Sequence, residues 1–286
     1  MLVIYDKFTD KNFLITHLFP WYKINSSIRE NNFSILNQII DNTKYFIFHI
    51  NMSNTKNYFS NKEELLNQLS DSNIKSINSN LSDITKRHIQ KQCIDLNINN
   101  VVCNIKDTDN VIIKSNYNFN NINEYRLSKQ EKNLLSISLD IIPFKYIITT
   151  KNKICEYDIN LKNDSIIIEK FVENDQDLFY RVYKLFSRLV ISEVRDKKRI
   201  KKMPIGIHRK NYFVDLTENN AGHKFESIID QINKLSLSMN IDFAAFDIVM
   251  SNDHEFYIID VNNTPHWGTL KIDDYEMMEY LKLGII

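Results

Sequence analysis

Asp247, Asp260 and Asn262 lie on two apolar runs, Phe243–Met250 and Phe256–Asn262, separated by the hydrophilic residues 251–255. Two such runs around a polar turn predict a β-hairpin. If the turn closes with Ser251 opposite Phe256, Asp247 falls directly opposite Asp260, and Val249 opposite Ile258. Side chains alternate along a strand, so Asn262 shares the face of Asp260. Directly opposed side chains sit about 5 Å apart, and like charges there repel. Two readings answer that repulsion: the hairpin lies at the surface with both carboxylates in water, or a cation sits between them. The second has a chemical logic, because two carboxylates and an amide oxygen are hard ligands of the kind Mg²⁺ takes beside nucleotide phosphates. A one-residue slip in register would break the pairing.

Upstream, other stretches carry groups suited to a nucleotide. Val111-Ile-Ile-Lys114 is an apolar run ending in lysine, whose compact charge suits phosphate oxygens. Asp83-Ile-Thr-Lys86 opens a helical pattern, and Ile166-Ile-Ile-Glu169-Lys170-Phe171-Val172 reads as a strand with a charged end. Arg195 begins a basic run that continues to Lys202, suited to gathering triphosphate or an anionic substrate. Taken singly, each of these also fits an ordinary solvated charge or core strand.

Together and in order, they resemble the ATP-grasp superfamily. Asp247, then Asp260-Val-Asn262-Asn-Thr-Pro265 after the hairpin, is similar to that family's terminal metal-binding signature. Lys86 and Lys114 resemble its two nucleotide lysines. The run from Glu169 through Lys170, Phe171 and Val172 resembles the linker whose backbone hydrogen-bonds the adenine edge. Asp177, with Glu173 as a second candidate, stands where the ribose hydroxyls are held. Arg195 falls where ribosomal-protein-modifying and glutathione-synthetase-like members carry a phosphate-facing arginine.

The resemblance covers roughly residues 80 to 270. It implies ATP and Mg²⁺ (or Mn²⁺) as cofactors, with Asp247, Asp260 and Asn262 on the metal and Lys114 and Arg195 at the reacting phosphates. It implies a ligase that activates a small-molecule or peptide carboxylate as an acyl phosphate and joins it to an amine acceptor. A kinase of the same fold acting on a hydroxyl, or a nucleotide-binding protein without catalysis, are the alternatives. Homodimers are common in the family.

The chain departs from the family pattern in two places. The loop after Lys114 is glycine-rich in the family but reads Ser115-Asn-Tyr-Asn-Phe-Asn-Asn-Ile-Asn-Glu124 here. Asparagine is the next residue most tolerant of left-handed backbone angles. His266 follows Pro265 where glycine is common; with Trp267 it either shapes a substrate pocket or packs the C-terminal helix.

The elements that position these groups read as follows. Val3 to Tyr5 and residues 45–50 are strands, with helices over 27–40 and from a cap at Asn61 to Gln68, a βαβα start. A helix then opens at Ser82-Asp83. Short strands follow within 111–193, interrupted by a helix over 129–139, and helices over 221–239 and 275–283 flank the hairpin. The fold class expected is an α/β N-terminal domain, residues 1–80, followed by an α+β ATP-grasp fold divided into 81–170 and 171–286. With 286 residues, 36 basic against 36 acidic side chains and no long apolar run, nothing points to nucleic acid or a membrane. The scattered cysteines, Cys93, Cys103 and Cys155, read as reduced core thiols of a cytoplasmic protein.

Overall fold

The computed structural model describes residues 1–5, 9–24, 42–52, 62–134, 138–139, 141–157, 163–200, 209–218, 223–267 and 274–285. The helix expected over 27–40, the cap at Asn61 and the end of the basic run lie outside them. Three sheets carry the architecture.

The first is parallel: β1 (Leu2–Tyr5), β2 (Trp21–Ile24), β3 (Tyr45–Phe48) and β4 (Lys75–Ile77), in the order β2-β1-β3-β4. Every residue of β1 is buried, as a strand covered on both faces requires. Helix α1 (Leu14–Leu18) follows β1, and α2 (Lys62–Asp71) precedes β4.

Helix α3 (Lys86–Asp95) begins later than Ser82-Asp83. Thr85 is its cap, accepting from the His88 amide at 3.3 Å, while Asp83 Oδ1 holds the Thr85 amide at 2.7 Å. The second sheet is antiparallel, ordered β6-β5-β7, from β5 (Asn110–Ser115), β6 (Ile147–Thr150) and β7 (Ile166–Lys170). Short helices α4 (Ile122–Tyr125) and α5 (Lys129–Leu134) lie between β5 and β6.

The third sheet is antiparallel and broad: β8 (Leu178–Leu185), β9 (Arg188–Arg195), β10 (Arg209–Asp215), β11 (Phe243–Met250) and β12 (Phe256–Asn262), ordered β10-β9-β8-β11-β12. Helix α6 (Glu226–Met239) ends at Asn240, whose left-handed backbone (φ 55°) supplies the cap that glycine usually provides. Helix α7 (Asp274–Lys282) closes the chain.

The largest core joins one face of this sheet (Tyr180, Val182, Phe246, Ile248) to Ile228, Ile232 and Leu235 of α6, and reaches Val3 and Phe46 of the parallel sheet. Two buried asparagines fasten the parallel sheet to the broad one. Asn78, beyond β4, accepts from the Asp242 and Phe243 amides and donates to the Phe243 carbonyl. Asn263, beyond β12, donates to the Ile50 carbonyl at 2.7 Å. Of the cysteines, Cys93 is buried but Cys103 and Cys155 are exposed, which corrects the expectation of three core thiols. Among the described residues no helix is long and apolar enough to cross a membrane.

Candidate active site

The hairpin pairs Asp247 with Asp260, but by a different route from the one the turn suggested. Met250 pairs with Phe256 and Val249 with Tyr257, one residue out of the expected register. An irregularity between Asp247 and Ile248 leaves Ile259 without a strand partner and restores the alignment from Asp260 onward. Without that bulge Asp247 would face Ile259, and Asp260 would turn to the α6 side. The bulge also frees a carbonyl: Lys114 Nζ donates to the Ile259 oxygen at 2.8 Å.

On the opposite side, Asp247 pairs with Arg181 of β8, Arg181 with Ser192 of β9, and Ser192 with Asn211 of β10. Directly paired residues share a face, so a polar row crosses all five strands: Asn211, Ser192, Arg181, Asp247, Asp260. Ser192 Oγ donates to Asn211 Oδ1 at 2.7 Å, and Arg181 Nη1 lies 3.4 Å from Asp247 Oδ1. Apolar clusters bound the row on both sides, Phe179, Val194 and Val249 on one and Tyr183, Val190 and Phe243 on the other.

The three-stranded sheet and α3 bring cations to this row. Lys86, 3% exposed, lies 3.3 Å from Asp260 Oδ1 and donates to the Tyr117 carbonyl and Asn118 Oδ1. Lys114 Nζ is 2.6 Å from Glu169 Oε2, and Glu169 is 1% exposed. Burial governs the electrostatics. It pushes the Asp247 carboxyl up, opposed by Arg181 and reinforced by Asp260. Burial also pushes Glu169 up against the pull of Lys114, and pushes Lys86 down against the pull of Asp260. Three cations face three anions, yet Asp247 Oδ1, Asp260 Oδ1 and Glu169 Oε1 are buried without a hydrogen bond.

Asp247 Oδ1 has Arg181 and Asp260 Oδ1 has Lys86 as an ion-pair neighbour, and buried carboxylate oxygens that accept no hydrogen bond remain open to a further partner. Two of the three belong to the facing acids, and the Asn262 amide oxygen, oriented by the Thr264 amide at 2.9 Å, is on the same face. This donor set fits a hard divalent cation completed by phosphate oxygens. Among the described residues no group of three or more His, Cys, Asp or Glu is assembled.

A cleft of about 760 Å³ opens over the Arg181, Asp247 and Asp260 end of the row. Its lining includes Lys86, Lys114, Glu169, Lys170, Phe171, Val172, Asp177, Asp247, Asp260 and Asn262, so the structure brings these expected residues together. Arg195 is not among them. It is exposed, and it sits at odd spacing from Ser192, on the opposite face of β9. Lys197 and Arg199 of the same basic run do line the cleft, with Arg199 stacked over Phe171 at 4.9 Å.

The lining residues missed include Arg181 and Tyr146. Arg181 reads as an ordinary strand residue, because its place beside Asp247 depends on β8 lying next to β11. Tyr146 stands at the start of β6, its hydroxyl pushed up by burial and by Asp260, Asp247 and Glu169. The loop after β5 forms without glycine: Asn120 and Asn121 take left-handed angles (φ 54° and 65°), and Asn118 Nδ2 ties the loop to the Val261 carbonyl at 3.0 Å. His266 and Trp267 divide the two roles left open for them. His266 lines the cleft, whereas Trp267 packs on Tyr183 and donates to Asp274 of α7 at 3.1 Å.

No protein-family model matches the chain, and no curated protein matches it by sequence. Solved structures do. The macrocyclase MdnC from Microcystis aeruginosa, bound with precursor peptide MdnA, is similar with a TM-score of 0.52 and 8% identity, over 99% of this chain and 98% of that one. D-alanyl-alanine synthetase A from Vibrio cholerae is similar at TM-score 0.48 and 11% identity, over 98% and 93% of the two chains. N5-carboxyaminoimidazole synthetase from Staphylococcus aureus, complexed with ADP, is similar at 0.47 and 11%, over 92% and 63%. At such identities the likeness is one of fold, and this chain has the ATP-grasp fold.

Proposed function

We propose that the chain is a Mg-ATP-dependent ligase that activates a carboxylate and joins it to an amine. The observation that carries this reading is the pair of facing acids, Asp247 and Asp260, each with a buried oxygen that has an ion-pair neighbour but accepts no hydrogen bond, in a cleft that Lys86 and Lys114 also line. Asp247, Asp260 and Asn262 would hold the metal, Mg²⁺ or Mn²⁺, which when bound neutralises phosphate charge as a Lewis acid.

The chain's own groups then have separable tasks. The Lys170 and Phe171 amides are taken by the Val101 and Asn110 carbonyls, which leaves the Val172 amide to meet a purine edge. Phe179, Val194 and Val249 provide an apolar bed beside it. Asp177 receives the ribose hydroxyls. Lys86 and Lys114 bind phosphate oxygens, and Arg181 steadies the carboxylate and the charge developing on the transferred phosphoryl group. The carboxylate attacks the terminal phosphorus, the bond to the bridging oxygen breaks and ADP leaves, giving an acyl phosphate; the amine then displaces phosphate and loses a proton to form an amide. The three sheets support the proposed division at 1–80, 81–170 and 171–286. A peptide carboxylate falls within the proposed substrate class, as the peptide-bound macrocyclase illustrates.

Acceptor-dependent release of ADP and phosphate, screened over carboxylates paired with amino acids and peptides, tests the reading. A stable phosphoester product would make the chain a kinase instead, and no ADP over the whole panel would contradict both.

A further inference from the structure

Amide formation needs a destination for a proton. An attacking amine must lose one as the carbon–nitrogen bond forms, and the cleft has few groups left to take it. Asp247 and Asp260 are committed to the metal in the proposed reading, and Glu169 is buried against Lys114. Glu173, Asp175 and Asp177 follow the linker run, at the end assigned to adenine and ribose. Lys86, Lys114 and Arg181 are assigned to phosphate and carboxylate oxygens in the proposed reading. Among the described residues lining the cleft, His266 is the one imidazole, and imidazole is the side chain best suited to accept a proton near neutral pH.

Its placement is built rather than incidental. His266 follows Asn262 on the same strand exit, where the chain meets the segment around α1. Its backbone forms a bridge with Phe13, its ring packs on Phe13 at 5.4 Å with the planes 78° apart, and Phe13 in turn packs on His49. The neighbouring Pro265 carbonyl accepts from the Leu14 amide at 2.8 Å, and the Trp267 amide donates to the Asn12 carbonyl at 2.6 Å. A backbone clamped on both sides leaves the imidazole exposed to the cleft. The titratable groups borne by the elements around it are Asp10, Lys11 and His17 near α1, His49 behind Phe13, Asp260 on its own strand, and Asp274 holding the Trp267 indole.

We infer that His266 is the proton acceptor for the amine in the second half-reaction. This inference rests on the ligase reading. The amine lone pair attacks the acyl carbon, the carbon–oxygen bond to phosphate breaks, phosphate leaves with that electron pair, and the amine proton passes to the imidazole. Because the first half-reaction needs no such transfer, His266 acts only after the acyl phosphate exists.

Hydroxylamine separates the halves. It is an unprotonated nucleophile at neutral pH and traps acyl phosphates as hydroxamates without a base. With any carboxylate that supports ADP release, H266Q and H266N should form hydroxamate within about twofold of the parent chain, which also establishes that they fold. Amide formation with an alkylamine acceptor such as an amino-acid ester should fall by about 10²-fold, recovering as pH rises. Loss of both products to the same extent, or of neither, would overturn the role of His266 while leaving the ligase reading intact. No hydroxamate from the parent chain with any carboxylate would overturn the ligase reading itself, and the inference with it.

Discussion

The five-stranded and three-stranded sheets face each other across the cleft and are built to different standards. The broad sheet is packed on both faces, by α6 on one and by α1 and α7 on the other. The small sheet packs around a core cluster of three buried side chains, Val111 and Ile113 of β5 and Ile154 just beyond β6, and β5 and its loop reach the broad sheet through polar contacts such as Lys114 to Ile259 and Asn118 to Val261. Asp247 and Asp260 thus sit on the stiff partner and Lys114 on the yielding one, while Lys86 is on α3, whose Ile89 and Cys93 join the largest core. A metal site needs ligands fixed to within a fraction of an ångström, whereas phosphate-binding cations must admit and release a nucleotide.

The sharpest way to break this contrast is to remove an acid from the stiff partner. Asp260→Ala separates chemistry from fold: turnover should fall at least about 10²-fold, with thermal unfolding close to that of the parent chain.

The yielding side is tested by matched truncations. Ile113→Ala and Phe246→Ala each delete a buried side chain, a change that costs roughly 2–5 kcal/mol in a cooperative core. In the broad sheet that loss should appear in the global unfolding midpoint. In the small sheet it should appear mainly as faster amide exchange across β5 to β7 and weaker ATP binding. Equal global effects would erase the distinction.

A smaller effect depends on pH. Burial pushes the Glu124 carboxyl, beneath the loop, up from 4.5 to about 7, and its Oε2 has no hydrogen bond. A raised carboxyl favours folding while protonated, so its contribution is intact below about pH 4.5 and is lost as pH rises through 7. Glu124→Gln should therefore stabilise the protein above neutrality by up to about 3 kcal/mol and change little in acid, read from unfolding midpoints across pH.

Much of this contrast was legible in the sequence, though unevenly. β11 and β12 were readable because apolar runs around a polar turn leave few alternatives, and the facing of Asp247 and Asp260 survived a misread turn. The hairpin closes one residue earlier than expected, and the bulge at Ile259, an isoleucine like its neighbours, gives back that residue. Nothing local marks such a bulge. β2, β4 and β10 were missed because exposed or edge strands tolerate residues such as Lys75, Lys210 and Asn211 that blur alternation. Arg181 was invisible as a site residue because strand order is non-local, and Arg195 was attractive only until alternation along β9 placed it opposite Ser192. The asparagines, by contrast, did what their backbone tolerance suggests, taking left-handed angles at 120, 121 and 240.

Everything chemical in this account depends on Asp247 and Asp260 jointly holding a divalent ion that also grips a nucleotide. Titration calorimetry of ADP in the presence and absence of Mg²⁺, on the parent chain and on Asp247→Asn/Asp260→Asn, tests that most directly. The account predicts Mg²⁺-dependent binding in the parent chain and loss of the Mg²⁺ dependence in the double variant. Equal, Mg²⁺-dependent ADP binding by both proteins would contradict it.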